Sequence, residues 1–196
     1  MTSLKAPLRQ GVITARRKVS EVVHTAEANA LAGHVTNFVT EATICAYVPV
    51  DCEPGSTAML DTLHNAGIRV LLPFAVTTDA GAPLALLWGE YRPGELVVAR
   101  FGLLEPAGPR LPATAIGEAG VVIVPALAVD RRGVRLGRGA GFYDRSLTLR
   151  DPAARLVAVV RDEELLDEVP AEPHDVPMTH ALTPGRGVVT LGSEPV

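Results

Sequence analysis

The chain has 196 residues, 47% of them apolar and only 4% aromatic, and its 18 basic and 22 acidic side chains leave a net charge of −4. That length allows one domain, residues 1–196, with a substantial core, and a core of mostly Ala, Val and Leu suits α/β layers. The acidic balance argues against a nucleic-acid footprint. Pro, Gly or a charge cuts every apolar run short of the roughly 18 residues a membrane span needs.

Cys45 and Cys52 stand seven residues apart, which fits neither a zinc knuckle nor a redox pair, and no secretory apolar segment precedes them. A cytoplasmic protein with two reduced thiols is the expectation.

Taken in order, Thr2 or Ser3 is placed to cap a helix starting near Leu4, with Pro7 tolerated in its first turn. Leu4, Leu8, Val12 and Ala15 share one face, and Lys5, Arg9 and Arg16 another. By spacing alone that basic face is solvated. A second Ala/Val-rich helix follows Ser20 and runs to about Val39. His24 and His34 on it have no partner at metal spacing and read as structural.

Residues 42–48 predict a buried strand ended by Pro49, residues 57–65 a helix closed by Gly67, and residues 69–74 the next strand. Strand, helix, strand implies a right-handed crossover and a largely parallel sheet. The fold class expected is therefore an α/β, three-layer open sheet with helices on both faces. In such sheets ligand binds beyond the strands' carboxyl ends, where Glu53 falls; as a bare sequence feature, Glu53 is a helix-start acid.

Residues 83–88 and 95–101 read as strands around a Pro93-Gly94 turn. Trp88 and Phe101 are taken as core, and Glu105 as a turn residue. Residues 155–160 predict a further strand, and DEELLDEV after it an acidic helical turn. His174, Asp175 and His180 lie in a proline-bearing, extended tail at no zinc spacing.

The most informative stretch is VVIVPALAVDRRGVRLGRGAGFYDRSL. Residues 121–129 predict one buried strand, rich in β-branched side chains. Gly133 marks a turn. Gly137, Gly139 and Gly141 then recur at every second position, where positive φ and close approach to a ligand are open to the backbone. Arg135 and Arg138 flank them, and Asp144 follows near the start of a short helix containing Tyr143 and Leu147. Backbone N–H groups and guanidinium forks suit a phosphate, and a carboxylate beside them suits Mg2+. The spacing is neither a Walker A loop nor a dinucleotide fingerprint. An arginine-decorated hairpin turn is the plain alternative.

This run resembles the signature of the 5-formyltetrahydrofolate cyclo-ligase (5,10-methenyltetrahydrofolate synthetase) family, close to PG-x-x-FD-x-x-G-x-RLG-x-G-x-G-YYD-x-x-L. It departs at Ala126, Val129, Phe142 and Ala140. Many relatives carry a lysine at the last of these, so phosphate binding here falls to Arg135, Arg138 and the backbone. The N-terminal KAPLR is similar to the family's K-x-x-(L/V)-R, and FGLLEPAG to a further family segment.

The resemblance implies conversion of 5-formyltetrahydrofolate to 5,10-methenyltetrahydrofolate through a phosphorylated formyl intermediate, with ATP and Mg2+ as cofactors. It assigns Lys5, Arg135 and Arg138 as catalytic charge clamps. ATP binding falls to Lys5, Arg9, Arg135, Leu136, Gly137, Arg138, Gly139, Ala140, Gly141, Phe142 and Tyr143. Substrate binding falls to Val48, Glu53, Arg138 and Phe142, and Mg2+ binding to Asp144 and Asp175. The partner implied is the folate substrate, possibly polyglutamylated, with no nucleic acid or membrane, and a monomer is expected. The rivals are a sugar-phosphate isomerase or CoA-transferase-like enzyme on the same architecture, and a folate or nucleotide sensor without turnover.

Overall fold

The computed structural model describes residues 5–99, 102–172 and 175–192. The expected caps Thr2 and Ser3, the helix start at Leu4, Phe101 and His174 lie outside the described residues.

The chain runs through α1 (Lys5–Arg16), α2 (Glu21–Phe38), β1 (Thr43–Cys45), α3 (Thr57–Asn65), β2 (Arg69–Phe74), β3 (Leu87–Glu90), β4 (Leu96–Val98) and β5 (Leu104–Pro106). It continues through β6 (Val121–Pro125), β7 (Ala128–Asp130), β8 (Arg135–Leu136), α4 (Phe142–Ser146), β9 (Arg155–Val159), β10 (Leu165–Leu166), β11 (His180–Thr183) and β12 (Gly187–Thr190). Seven strands form the main sheet in the order β12-β11-β9-β6-β1-β2-β3. The inner five are parallel and the two edges antiparallel.

Alternation along the central strands divides the core in two. Ile44, Val70, Val121, Ile123 and Val157 pack with Leu31 and Val35 of α2 and with Met59, Leu60 and Leu63 of α3. Cys45, Leu71, Val122, Val124 and Leu156 face the other way, toward Ile116 and Leu147 on short 3-10 turns and toward Trp88. Helical elements thus cover both faces, two long helices on one side and short ones on the other. α2 begins at Ser20, whose hydroxyl accepts the Val23 N–H. Trp88 is fully buried, as expected.

Several sequence expectations need correction. Residues 121–129 make two strands, because Pro125 has no N–H with which to extend the ladder. The chain turns at Ala126 and Leu127 and enters a second sheet, β10-β7-β8. The strand expected over 83–88 lies at Leu87–Glu90, after an isolated pairing of Thr77 with Pro83. The strand over 95–101 covers Leu96–Val98 among the described residues. Glu105 lies in β5, buried and 3.8 Å from Arg110, rather than in a turn. DEELLDEV forms a 3-10 turn, Asp162–Glu164, and then β10.

The basic face of α1 is not solvated throughout: Lys5 and Arg16 are buried, while Leu8, Val12 and Ile13 pack on Leu127, Leu136 and Val169. His24 and His34 are structural, meeting the carbonyls of Glu53 and Pro184 at 3.0 Å. No helix is long and apolar enough to cross a membrane among the described residues.

Candidate active site

From β1 the chain steps outward through β2 to β3. It then returns to β6 on the other side of β1 and steps outward again through β9 and β11 to β12. The direction reverses between β1 and β6, and ligand crevices of open α/β sheets form at such a switch point. A cavity of about 500 Å3 lies there. Tyr47, Val48 and the loop carrying Glu53 follow β1, and Ala126 and Leu127 follow β6; all line the cavity.

Asp130 mounts the third wall. Its fully buried carboxylate accepts the N–H groups of Arg132 (3.0 Å), Val134 (2.9 Å) and Val169 (3.1 Å), fixing the turn that reverses β7 into β8. Gly133 in this turn has φ +90°, and a Cβ there would stand 2.3 Å from the Met178 carbonyl oxygen. β8 then delivers Arg135 and the glycine loop. Gly139 and Gly141 take positive φ, so the loop bends where a Cβ would be strained. Gly137 does not, contrary to expectation; its neighbour is the Arg135 guanidinium, 2.9 Å from where a Cβ would be. Arg9 of α1 holds the loop from outside, its Nε donating to the Gly137 carbonyl at 2.9 Å.

Each of the three cations assigned to catalysis, Lys5, Arg135 and Arg138, meets a carboxylate. Arg135 Nη2 donates to Asp144 Oδ1 at 2.9 Å and Nη1 to the Pro125 carbonyl at 3.1 Å. Arg138 Nε donates to Glu53 Oε1 at 2.9 Å, and Glu53 Oε2 accepts the Val50 N–H at 3.1 Å. Glu53 therefore serves its own loop rather than the start of α3, whose N-cap is Ser56. Lys5 Nζ donates to Asp175 Oδ2 at 2.8 Å and to Glu172 at 3.2 Å.

The cavity gathers Val48, Glu53, Arg135, Gly137, Arg138, Gly139, Ala140, Gly141, Phe142, Tyr143 and Asp144. Leu136 is buried behind it in the small α1-facing core. Lys5, Arg9 and Asp175 are not part of its lining. Asp144 and Asp175 thus have separate partners, and no cluster of three or more His, Cys, Asp or Glu side chains forms among the described residues.

Asp51 also lines the cavity, and one wall is largely apolar: Tyr47, Pro73, Ala75, Leu86, Leu103 and Leu104. Burial pushes the phenols of Tyr47 and Tyr143 well above their ordinary range, with the Glu53 charge adding to the effect, so both stay protonated donors. The Tyr47 hydroxyl reaches the Pro54 carbonyl at 3.3 Å; that of Tyr143 has no partner among the described residues. The Arg135 guanidinium carbon lies 5.6 Å from the Tyr143 ring centre.

Sequence reasoning missed the wall residues Tyr47 and Leu86, which carry no motif, and gave no site role to Leu104, which lies in the FGLLEPAG segment. It also missed Ser146, whose hydroxyl ties the Phe142 carbonyl to the Leu86 N–H and so joins two walls. Asp130 was legible as the aspartate of a D-x-x-G turn.

The profile of the 5-formyltetrahydrofolate cyclo-ligase family matches residues 1–184. The chain is 60% identical over 188 residues to the 5-formyltetrahydrofolate cyclo-ligase of Mycolicibacterium smegmatis, covering 95% of this chain and 97% of that one. It is 32% identical to the Escherichia coli K12 cyclo-ligase, over 74% of this chain and 79% of that one. In fold it is similar to the 5,10-methenyltetrahydrofolate synthetase of Aquifex aeolicus, with a TM-score of 0.74 at 23% identity over 98% and 95% of the two chains. Family profile and near-full-length identity agree with the glycine-loop signature: the chain belongs to the 5-formyltetrahydrofolate cyclo-ligase family.

Proposed function

We propose that this chain closes 5-formyltetrahydrofolate to 5,10-methenyltetrahydrofolate at the switch-point cavity, with ATP and Mg2+, which members of the family use. One observation carries the site assignment: the arginines of the glycine loop and Asp144 share a cavity of about 500 Å3 with a wall of apolar side chains. An anionic phosphate chain and a flat heteroaromatic ring call for those two linings side by side.

The residues fit the groups they would hold. Arg135 and Arg138 offer guanidinium donors to phosphate oxygens, and the loop bent at Gly139 and Gly141 offers backbone N–H groups without a Cβ in the way. Asp144 engages Arg135 through Oδ1, and one or two carboxylates with phosphate oxygens and water are what Mg2+ ordinarily takes. Asp175, set against Lys5, is the second carboxylate assigned to the metal. When bound, ATP supplies the phosphoryl group that makes the formyl oxygen a leaving group, and Mg2+ screens the phosphate charge.

The protein's part is positioning and electrostatics. Glu53 presents an acceptor to the N–H donors of the pterin edge, while Val48 and Phe142 border its ring. Arg138, 45% exposed and resting on Glu53, turns to phosphate as the folate takes that carboxylate. Arg9, which holds the loop at Gly137, and Lys5, paired with Asp175, support the phosphate side from α1 without lining the cavity. Ala140 leaves the loop without the lysine many relatives have, so Arg135 and Arg138 carry the anionic load.

The test is the absorbance of the methenyl product when purified protein meets 5-formyltetrahydrofolate and Mg2+, with and without ATP. An ATP-dependent signal is expected. A folded protein that binds ATP and gives no signal would overturn the proposal in favour of a sensor, the reading Ala140 supports.

A further inference from the structure

Beneath the cavity, on the side of α1 and α2, lies a second group of charges to which the chemistry gives no role. Arg16, Arg161 and Glu164 are 2%, 1% and 4% exposed. Glu164 closes the 3-10 turn after β9, and its carboxylate accepts three hydrogen bonds of 2.7 Å: from Arg16 Nε, from Arg16 Nη2 and from the backbone N–H of Arg161. Each arginine also reaches one backbone carbonyl beside the cavity. Arg16 Nη2 donates to Ala126 at 2.7 Å, in the link that leaves β6, and Arg161 Nη1 donates to Cys52 at 3.2 Å, one residue before Glu53. Glu27 of α2 holds Arg161 Nε at 2.7 Å, and His24, one turn earlier, meets the Glu53 carbonyl.

Burying two guanidinium groups is a poor route to stability, since packed apolar side chains of similar volume do as well or better. The group is also incompletely satisfied: Arg16 Nη1 and Arg161 Nη2 have no acceptor among the described residues. What it supplies, and leucines cannot, is direction. The Arg16 guanidinium engages Glu164 through two N–H groups and still donates to a carbonyl, and that of Arg161 divides its donors between Glu27 and a carbonyl, which a lysine ammonium cannot reproduce in one plane. The two carbonyls it holds belong to opposite walls, one after β1 and one after β6.

We infer that Arg16 and Arg161, joined through Glu164, are positioning residues that fix the spacing of the two cavity walls and, through the Cys52 carbonyl, the aim of the Glu53 carboxylate at the folate. This rests on the folate role proposed for Glu53. The arginines touch no substrate, so their effect should be selective for the ligand Glu53 contacts.

Steady-state kinetics of Glu53→Gln, Arg161→Lys and the double variant test it. Arg161→Lys is expected to raise KM for 5-formyltetrahydrofolate about three- to tenfold, the scale of one loosened hydrogen bond, and to leave KM for ATP within about twofold. In the Glu53→Gln background its effect on the folate KM should shrink to less than about twofold, because the group it aims is already lost. An unchanged folate KM in Glu53→Gln overturns the substrate role of Glu53 and this inference together. A raised KM there, with Arg161→Lys adding in full, overturns the inference alone, as does an equal rise in both Michaelis constants. Should Arg161→Lys not fold, Glu27→Gln, which keeps the guanidinium and loosens its hold, is expected to show the same split at smaller size; no split there also overturns it.

Discussion

Two sets of arginine–carboxylate pairs stand a short distance apart in this molecule and differ in one respect, access to solvent. At the cavity mouth each pair keeps one member in contact with water: Arg138 is 45% exposed against a Glu53 that is 7% exposed, and Asp144 29% against an Arg135 that is 8% exposed. Behind the cavity, Arg16 and Glu164 are 1% and 5% exposed by side chain. A pair with access to water can trade its partner for a ligand at little net cost, since exposed pairs contribute about 0–1 kcal/mol. A sealed pair cannot, because separating it leaves a charge buried and uncompensated. On the function proposed above, the outer pairs are groups held ready for ligands and the inner group is a fixed frame.

The largest break in that comparison is Glu164→Ala. It strands Arg16 in the interior and should lower the unfolding free energy by about 3–5 kcal/mol in a urea titration. Next is Asp144→Asn in the outer set, expected to reduce kcat by about 100-fold or more, a little under 3 kcal/mol, and to blunt its dependence on Mg2+ concentration, while the melting temperature barely moves. Arg138→Ala should weaken MgATP binding about tenfold by calorimetry and lower the unfolding free energy by about 1 kcal/mol, because the buried Glu53 carboxylate then keeps only the Val50 N–H among the described residues.

The smallest effect concerns a pair remote from the cavity. Arg155, at the start of β9, binds Glu41 at 2.6 Å and stacks on Phe38. Burial raises the Glu41 pKa, but the Thr40 N–H and Arg155 more than offset it and hold the carboxyl below its ordinary value. The unfolded chain thus binds the proton more readily, and the stabilisation is present above about pH 4.3 and lost as pH falls through the depressed value. Glu41→Gln should cost under about 1 kcal/mol at pH 7 and nothing in acid. A difference that persists at low pH would show that the pair does not act through this ionisation.

Local features of the sequence located much of this in advance. The bounds of α3 and β2 follow from Gly67, Pro54 and the apolar run that begins after Arg69. The turn at Gly133 and the bends at Gly139 and Gly141 follow from residues whose conformational range is peculiar to them. The split of the 121–129 run was not legible, because periodicity does not reveal that a strand leaves one sheet for another. Nor was the inner frame: Arg16 looked like one more cation on a helix face, and its partner Glu164 is 148 residues away. Ion-pair choice at that separation depends on the assembled topology, which no window of sequence carries.

The exchange of partners at the outer pairs is tested most directly by MgATP affinity, measured by calorimetry on wild type and Glu53→Gln. If Glu53 holds Arg138 in reserve and competes with phosphate for it, removing its charge should tighten MgATP binding, by about threefold if the pair is worth the 0.5–1 kcal/mol typical of partly exposed pairs. Weaker binding in Glu53→Gln would mean that Glu53 orients Arg138 for phosphate rather than withholding it, and would contradict the account.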